Sequence, residues 1–119
     1  MLLIRGDLSG LEPQRTLILF PSDAELDAAV ARCAAAEWVA ADIETGAGQV
    51  RCCSFASSAD WSISIPTDSP TRLAAIREIL RSETPKIFHN APYDVVFLRD
   101  KAKIDVNGEI HDTLAMAQA

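Results

Sequence analysis

The chain is poor in cysteine, in basic charge and in long apolar runs, and each shortage narrows what it can be. Cys33, Cys52 and Cys53 are its only thiols. They are odd in number and show no Cys-x-x-Cys spacing, which argues against both a disulfide framework and a zinc site. A reducing, cytoplasmic setting is the expectation. Lys and Arg number 11 against 17 Asp and Glu, for a net charge of −6. That balance argues against a general nucleic-acid-binding protein, which is usually basic. It does not exclude an enzyme that meets phosphates through a bound divalent ion, because the ion inverts the local charge. No apolar run approaches the ~20 residues of a membrane span, so no membrane partner is expected. The start, Met1 to Asp7, lacks the apolar stretch and small-residue cleavage site of a secretory signal.

What is present is ordinary globular composition. The 119 residues are 49% hydrophobic and 24% charged, enough for one domain with a modest core. Leu17-Ile18-Leu19-Phe20 is a short strand stopped by Pro21. Ser22 or Asp23 can then cap a helix with Leu26, Val30 and Cys33 at near-helical spacing. Trp38 to Thr45 reads as a strand, and Gly46-Ala47-Gly48 as a tight turn. Val50 to Ala56 returns as a second strand. Trp61 to Ile65 alternates as a third strand with one wet face. Three strands on short turns make an antiparallel meander.

Ser69-Pro70 starts a helix with Leu73, Ile76, Ile79 and Leu80 as its apolar stripe. Lys86 to His89 is a short strand, and Pro92 suits the first turn of a helix running to about Lys103. Asn107-Gly108 is a turn signal. Ile110-His111 is a last short strand, with Asp112 capping a helix from Thr113. The order implies an α/β fold, a mixed sheet with helices packed on it. The chain stops at Ala119, some seven residues into that last helix. A helix so short is marginal alone, so a C-terminally incomplete domain is the expectation.

The chemistry sits in two places. Asp42 and Glu44 lie at i and i+2 on a strand and point to one face. Two like charges side by side need a cation or a proton to relieve them. Asp94 lies in the first turn of the helix after the Lys86–His89 strand, where a helix N-terminus favours the ionised form. If that strand lies beside the one carrying Asp42 and Glu44, three carboxylates meet at one sheet edge. Hard oxygen ligands without cysteine suit Mg²⁺ or Mn²⁺ rather than Zn²⁺. Two such ions are the usual clamp for phosphodiester hydrolysis.

Asp42-Ile43-Glu44-Thr45, then His89-Asn90-Ala91-Pro92-Tyr93-Asp94, then His111-Asp112-Thr113 resemble the DEDD-type 3'–5' exonuclease family of ribonuclease-H-like fold. The closest subgroup by these motifs is the proofreading domain of the DNA polymerase I type, towards which Ser54-Phe55-Ala56 and Ser64-Ile65-Pro66 also tip. Ribonuclease D and the replicative proofreading subunits are the alternatives within the fold. The resemblance runs from about Trp38 to Ala119, which implies an exonuclease-like domain over 38–119 after the βα lead-in read from residues 1–37. It implies a sheet with an antiparallel three-strand meander and added parallel strands, flanked by helices. It further implies two Mg²⁺ or Mn²⁺ ions. Asp42 would bridge them, Glu44 would bind the water-activating ion, and Asp94 would hold the second ion partly through water. Thr45 and Asn90 match positions that touch the 3'-terminal nucleotide. The implied substrate is a single-stranded DNA 3' end, with RNA as the alternative, and a polymerase domain or subunit is an implied companion.

One departure stands out. The family's fourth acid, and the Tyr or His that orients the attacking water, are absent after Asp112. A metal- or nucleic-acid-binding chain with weak or no catalysis is therefore the competing expectation. The remaining marked residues have plainer readings. His89 orients backbone or packs, Tyr93 packs in the core, and Asp112 is an N-cap. Trp38 and Trp61 pack, and the cysteines are small buried hydrophobes. Arg72, Arg77 and Arg81 form a solvated helix face.

Overall fold

The computed structural model describes residues 15–114. The first strand, β1 (Thr16–Leu19), leads through Pro21 into α1 (Asp23–Ala35). Ser22 caps α1 in a reciprocal box: its hydroxyl accepts from the Glu25 N–H at 3.2 Å, and the Glu25 carboxylate accepts from the Ser22 N–H at 2.9 Å. A meander follows, of β2 (Val39–Gly46), β3 (Gln49–Ser58) and β4 (Trp61–Pro66). Then come α2 (Pro70–Arg81), capped by the Ser69 hydroxyl, β5 (Lys86–Phe88), α3 (Ala91–Phe97) and β6 (Ile110–Asp112). The last turn of α3 widens into a π-helical turn over Leu98–Ala102, ended by Lys103 in the left-handed region at φ 59°. Of the helix expected from Thr113, only its first two residues fall among those described.

The six strands form one sheet in the order β1-β4-β3-β2-β5-β6. The meander pairs are antiparallel; β1 runs parallel to β4, β5 to β2 and β6 to β5. This is the expected mixed sheet, and β5 does lie beside β2. The three crossovers β1-α1-β2, β4-α2-β5 and β5-α3-β6 all step the same way across the sheet. Right-handed crossovers then put all three helices on one face. The core agrees: Leu26 and Cys33 of α1, Ile76, Ile79 and Leu80 of α2, and Leu98 after α3 share one cluster with Val39, Ala41, Cys53, Phe55, Ile63, Ile65 and Phe88.

The alternate residues face the other way. Asp42 and Glu44, Cys52 and Ser54, and Ser62 and Ser64 lie side by side by register. No helix among the described residues covers this side, and its β3 and β4 residues are only half-buried.

Two local devices hold this frame. The hairpin between β2 and β3 closes on Ala47 and Gly48, both at positive φ, 54° and 76°. A two-residue hairpin turn of type I′ needs positive φ at both positions, and an Ala there carries a Cβ penalty. Ala47→Asn, giving the favoured Asn-Gly pair, is expected to stabilise by roughly 0.5–1 kcal/mol. Thermal melts would read this as a rise of a few degrees; a lower midpoint would refute the turn's strain.

The second device is Lys86, which is fully buried although it sits in a strand. Its ammonium donates to the Ser82 carbonyl, to the Ser82 hydroxyl at 3.1 Å and to the Asn107 carbonyl at 3.0 Å. Three donors thus meet three oxygens just past the C-terminus of α2, where positive charge is favoured. Burial pushes its pKa down from the ordinary lysine value.

Candidate active site

β2 delivers two acids to the open face. Val39 and Ala41 are buried and Ile43 partly so, while Asp42 and Glu44 are exposed. The register places Asp42 opposite Ser54 and Glu44 opposite Cys52, and it shifts between Glu44 and Thr45. Thr45 therefore leaves the regular alternation, exposed at the strand's end.

β5 delivers the third acid by a sharp turn. Asn90, at the junction, takes φ 91° and caps α3 without any side-chain bond. Its N–H is held instead by Asp112 Oδ1 at 2.8 Å, and that same oxygen accepts the Leu114 N–H at 3.1 Å. Beside it, His89 Nδ1 and Thr113 Oγ1 lie 2.8 Å apart, and Thr113 Oγ1 donates to the Phe88 carbonyl at 3.2 Å. The ends of β5 and β6 are thus tied together. Asp112 acts as the expected N-cap and also as the clamp on the β5–α3 junction. His89 is exposed, and its ring meets the Thr113 hydroxyl rather than a backbone group.

This turn brings Asp94 inward, where it is only 7% exposed. Its pKa is pushed up to about 6, by burial first, then by the charges of Asp42 and Asp112. Asp42 and Asp94 therefore feel each other across β2 and β5. Cys53, beneath them, has its thiol pushed up to about 12 by burial first and then by Cys52, Asp94 and Asp42.

The expected three-acid convergence is only partly formed. Glu44 lies against Cys52, whose thiol donates to Glu44 Oε2 at 3.7 Å. Among the described residues, no three His, Cys, Asp or Glu side chains group closely enough to hold an ion. None of Asp42, Glu44 and Asp94 is ion-paired among them either. The donor chemistry still fits a hard divalent cation: carboxylate oxygens, none of them ion-paired among the described residues.

Sequence reasoning missed three features. Cys52 is not a buried filler; it is half-buried, touching Glu44 and, at 3.5 Å, Ser64. Only the β2–β3 register could have found it. Tyr93 is not core. Its ring is half exposed and lies against Phe97, with centroids 5.6 Å apart. The helix buries a different face, through Ala91, Asp94 and Leu98, and leaves a second stripe with Tyr93 and Val96 exposed. Asp112's second bond, to Asn90, had no local sequence signal. Of the tryptophans, Trp61 packs as expected, under the Arg32 guanidinium at 4.5 Å, and Trp38 lies at the margin, partly exposed.

No protein-family model matches the chain, and no curated protein matches it. Solved structures do. Trypanosoma brucei RNase D is similar with a TM-score of 0.69 at 18% identity, over 82% of this chain and 37% of that one. The Aedes aegypti Nibbler EXO domain gives 0.66 at 16%, over 86% and 55%. The EXD2 exonuclease domain soaked in Mg and GMP gives 0.66 at 15%, over 86% and 58%. The chain thus spans well under two thirds of the length of each.

These relatives do not support the narrower kinship with the DNA polymerase I type. The meander residues that tipped the sequence that way, Ser54 to Ala56 and Ser64 to Pro66, show only the buried–half-buried alternation of a sheet covered on one side. Any domain of this topology can carry it. The chain has the mixed α/β, ribonuclease-H-like fold of these exonuclease domains.

Proposed function

We propose that this chain carries part of a metal-dependent 3'–5' exonuclease, a hydrolase acting on the 3' end of a single nucleic-acid strand. One observation carries the reading: Asp42 of β2 and Asp94, in the first turn of the helix that follows the adjacent strand β5, are near enough for the charge of Asp42 to push up the Asp94 pKa, and neither is ion-paired among the described residues. A fold does not hold like charges together for stability's sake. In this reading Asp42, Glu44 and Asp94 hold two Mg²⁺ or Mn²⁺ ions. Such ions, when bound, lower the pKa of water and offset charge on the leaving oxygen. Thr45 at the end of β2 and Asn90 at the head of α3 flank the acids and position the terminal nucleotide.

The finer substrate reading began as DNA of the proofreading kind. The similar structures include RNase D, one of them in complex with RNA U12, which supports RNA as an equal substrate for this chain. Three free thiols support a reducing, cytoplasmic setting.

The test is digestion of 5'-labelled ten-nucleotide RNA and DNA with Mg²⁺ or Mn²⁺. A ladder shortening from the 3' end is expected, and Asp42→Asn should slow it by at least about 10²–10³-fold. Undiminished cleavage by that variant overturns the assignment.

A second reading is favoured by the ungrouped acids: a chain that binds one ion weakly and turns over little. Calorimetric titration with Mn²⁺ separates the two. Two sites together with cleavage refute it; one weak site without cleavage supports it.

A further inference from the structure

We propose that Cys52 is a positioning residue for Glu44: its thiol fixes one carboxylate oxygen against the hairpin and leaves the other, Oε1, for an ion. That Glu44 binds an ion rests on the exonuclease reading; that Cys52 fixes its direction does not.

The need for such a partner arises in the backbone. Glu44 and Cys52 are the last pair of β2 and β3 in regular register, and the register shifts directly after Glu44. Arg51 is the extra residue on β3 at that shift. A glutamate side chain is rich in rotamers, and at an exposed strand end the backbone does not choose among them.

β3 is firm at this point. Cys52 pairs with Pro66 of β4 on its other side. Thr67, next along the chain, donates from its N–H to the Arg51 carbonyl at 3.0 Å and from its hydroxyl to the Val50 carbonyl at 2.8 Å. The irregular stretch is thus pinned from the end of β4, and Cys52 is a fixed base from which to hold Glu44.

A relay of side chains then sets the thiol. Glu44, Cys52, Ser54 and Ser64 share the helix-free face by register. Ser54 Oγ donates to Ser64 Oγ at 3.1 Å, Ser64 Oγ lies 3.5 Å from Cys52 Sγ, and Cys52 Sγ donates to Glu44 Oε2 at 3.7 Å. A carboxylate can only accept, so the single thiol hydrogen faces Glu44. The Ser64 hydrogen then goes to the sulfur, and the Ser54 hydrogen to Ser64. Every hydrogen in the relay points towards Glu44. Oε1 of Glu44 takes no hydrogen bond among the described residues. Cys33 and Cys53 are buried, as fillers are, whereas Cys52 is half-buried with its sulfur among polar atoms.

The experiment has two arms. The first is infrared spectroscopy of the metal-free protein in EDTA, where the S–H stretch falls in a window clear of other protein bands. The Cys52 band is assigned by its loss in Cys52→Ser, and Glu44→Ala should move it to higher frequency. A band that Glu44→Ala leaves in place overturns the proposal. The second arm is calorimetric titration with Mn²⁺. Cys52→Ala should weaken binding about tenfold, the low end for a partner that orients a metal ligand, and Cys52→Ser, which keeps a donor, should restore most of it. In a Glu44→Ala background Cys52→Ala should cost nothing further, because the thiol acts through that carboxylate. An equal loss with and without Glu44 shows a merely structural role and overturns the proposal, as does a Cys52→Ala protein that binds Mn²⁺ as tightly as the wild type. Ser64→Ala removes only the bond to the sulfur; it should give a smaller loss in the same sense and takes the place of Cys52→Ala if melts show that variant unfolded. An S–H band that follows Glu44, in a wild type that binds no Mn²⁺, upholds the positioning and overturns the exonuclease reading. Cleavage and Mn²⁺ binding that Cys52→Ala leaves unchanged do the reverse.

Discussion

Asp94→Asn is expected to raise the melting temperature of the metal-free protein at pH 8 while abolishing the hydrolysis proposed above. The carboxyl group is buried at the head of α3, and Asp42 and Asp112 both raise the cost of its charge. An amide of the same shape carries no such cost. The pH dependence follows from the sign of the shift. The folded-state pKa is about 6, raised from 3.8, so the folded protein binds the proton more tightly than the unfolded chain. The stability that proton lends is fully present below pH ~4 and is lost as pH rises through about 6. Above pH 6 the wild type carries the penalty and the variant does not.

Two pKa units correspond to about 2–3 kcal/mol, or roughly 5–10 °C for a chain of this size. At pH 4 the two melting curves should nearly coincide. Melts in EDTA across pH 4–8 read this directly. A variant less stable than wild type at pH 8, or a gap independent of pH, would sink the argument. The proposed activity moves oppositely, because the charge that destabilises the fold is the one the proposed ions would require.

Gly108→Ala is expected to remove about 3–5 kcal/mol, a large part of the 5–15 kcal/mol typical of a domain. Gly108 stands at φ 83°, and a Cβ there would lie 2.6 Å from the Thr84 carbonyl oxygen and 2.8 Å from that of Glu83. Both are backbone atoms and cannot swing aside. They belong to a crowded joint. The Thr84 hydroxyl donates to the Cys33 carbonyl at 2.9 Å, closing the end of α1. Asn107 donates from its backbone to the Leu80 carbonyl and from its side chain to the Arg81 carbonyl, closing the end of α2. Moving residue 108 disturbs both helix ends and the oxygen that Lys86 needs. Urea unfolding at neutral pH measures the loss; a change below about 1 kcal/mol would show that the joint yields.

Much of the frame was legible because its signals are local. Alternation marked Trp61 to Ile65, Ser22 and Ser69 marked helix starts, and Asn107-Gly108 marked the turn. The same alternation put Asp42 and Glu44 on one face. What it could not give was the direction each side chain takes there, and Glu44 turns to Cys52 across the hairpin. Strand ends also slipped. β3 runs on to Ser58 because a register shift after Ala56 preserves pairing with Trp61. The burial of Lys86 had no local signal, since only tertiary partners just past α2 and in the 104–109 loop make it tolerable. Tyr93 misled for a related reason: an aromatic at helical spacing implies a buried stripe, and α3 has a second one.

One oxygen of Asp112 accepts from both the Asn90 and the Leu114 amides. The entry to α3, which carries Asp94, and the chain leaving β6 therefore share a single anchor, and the neighbouring strand supplies it.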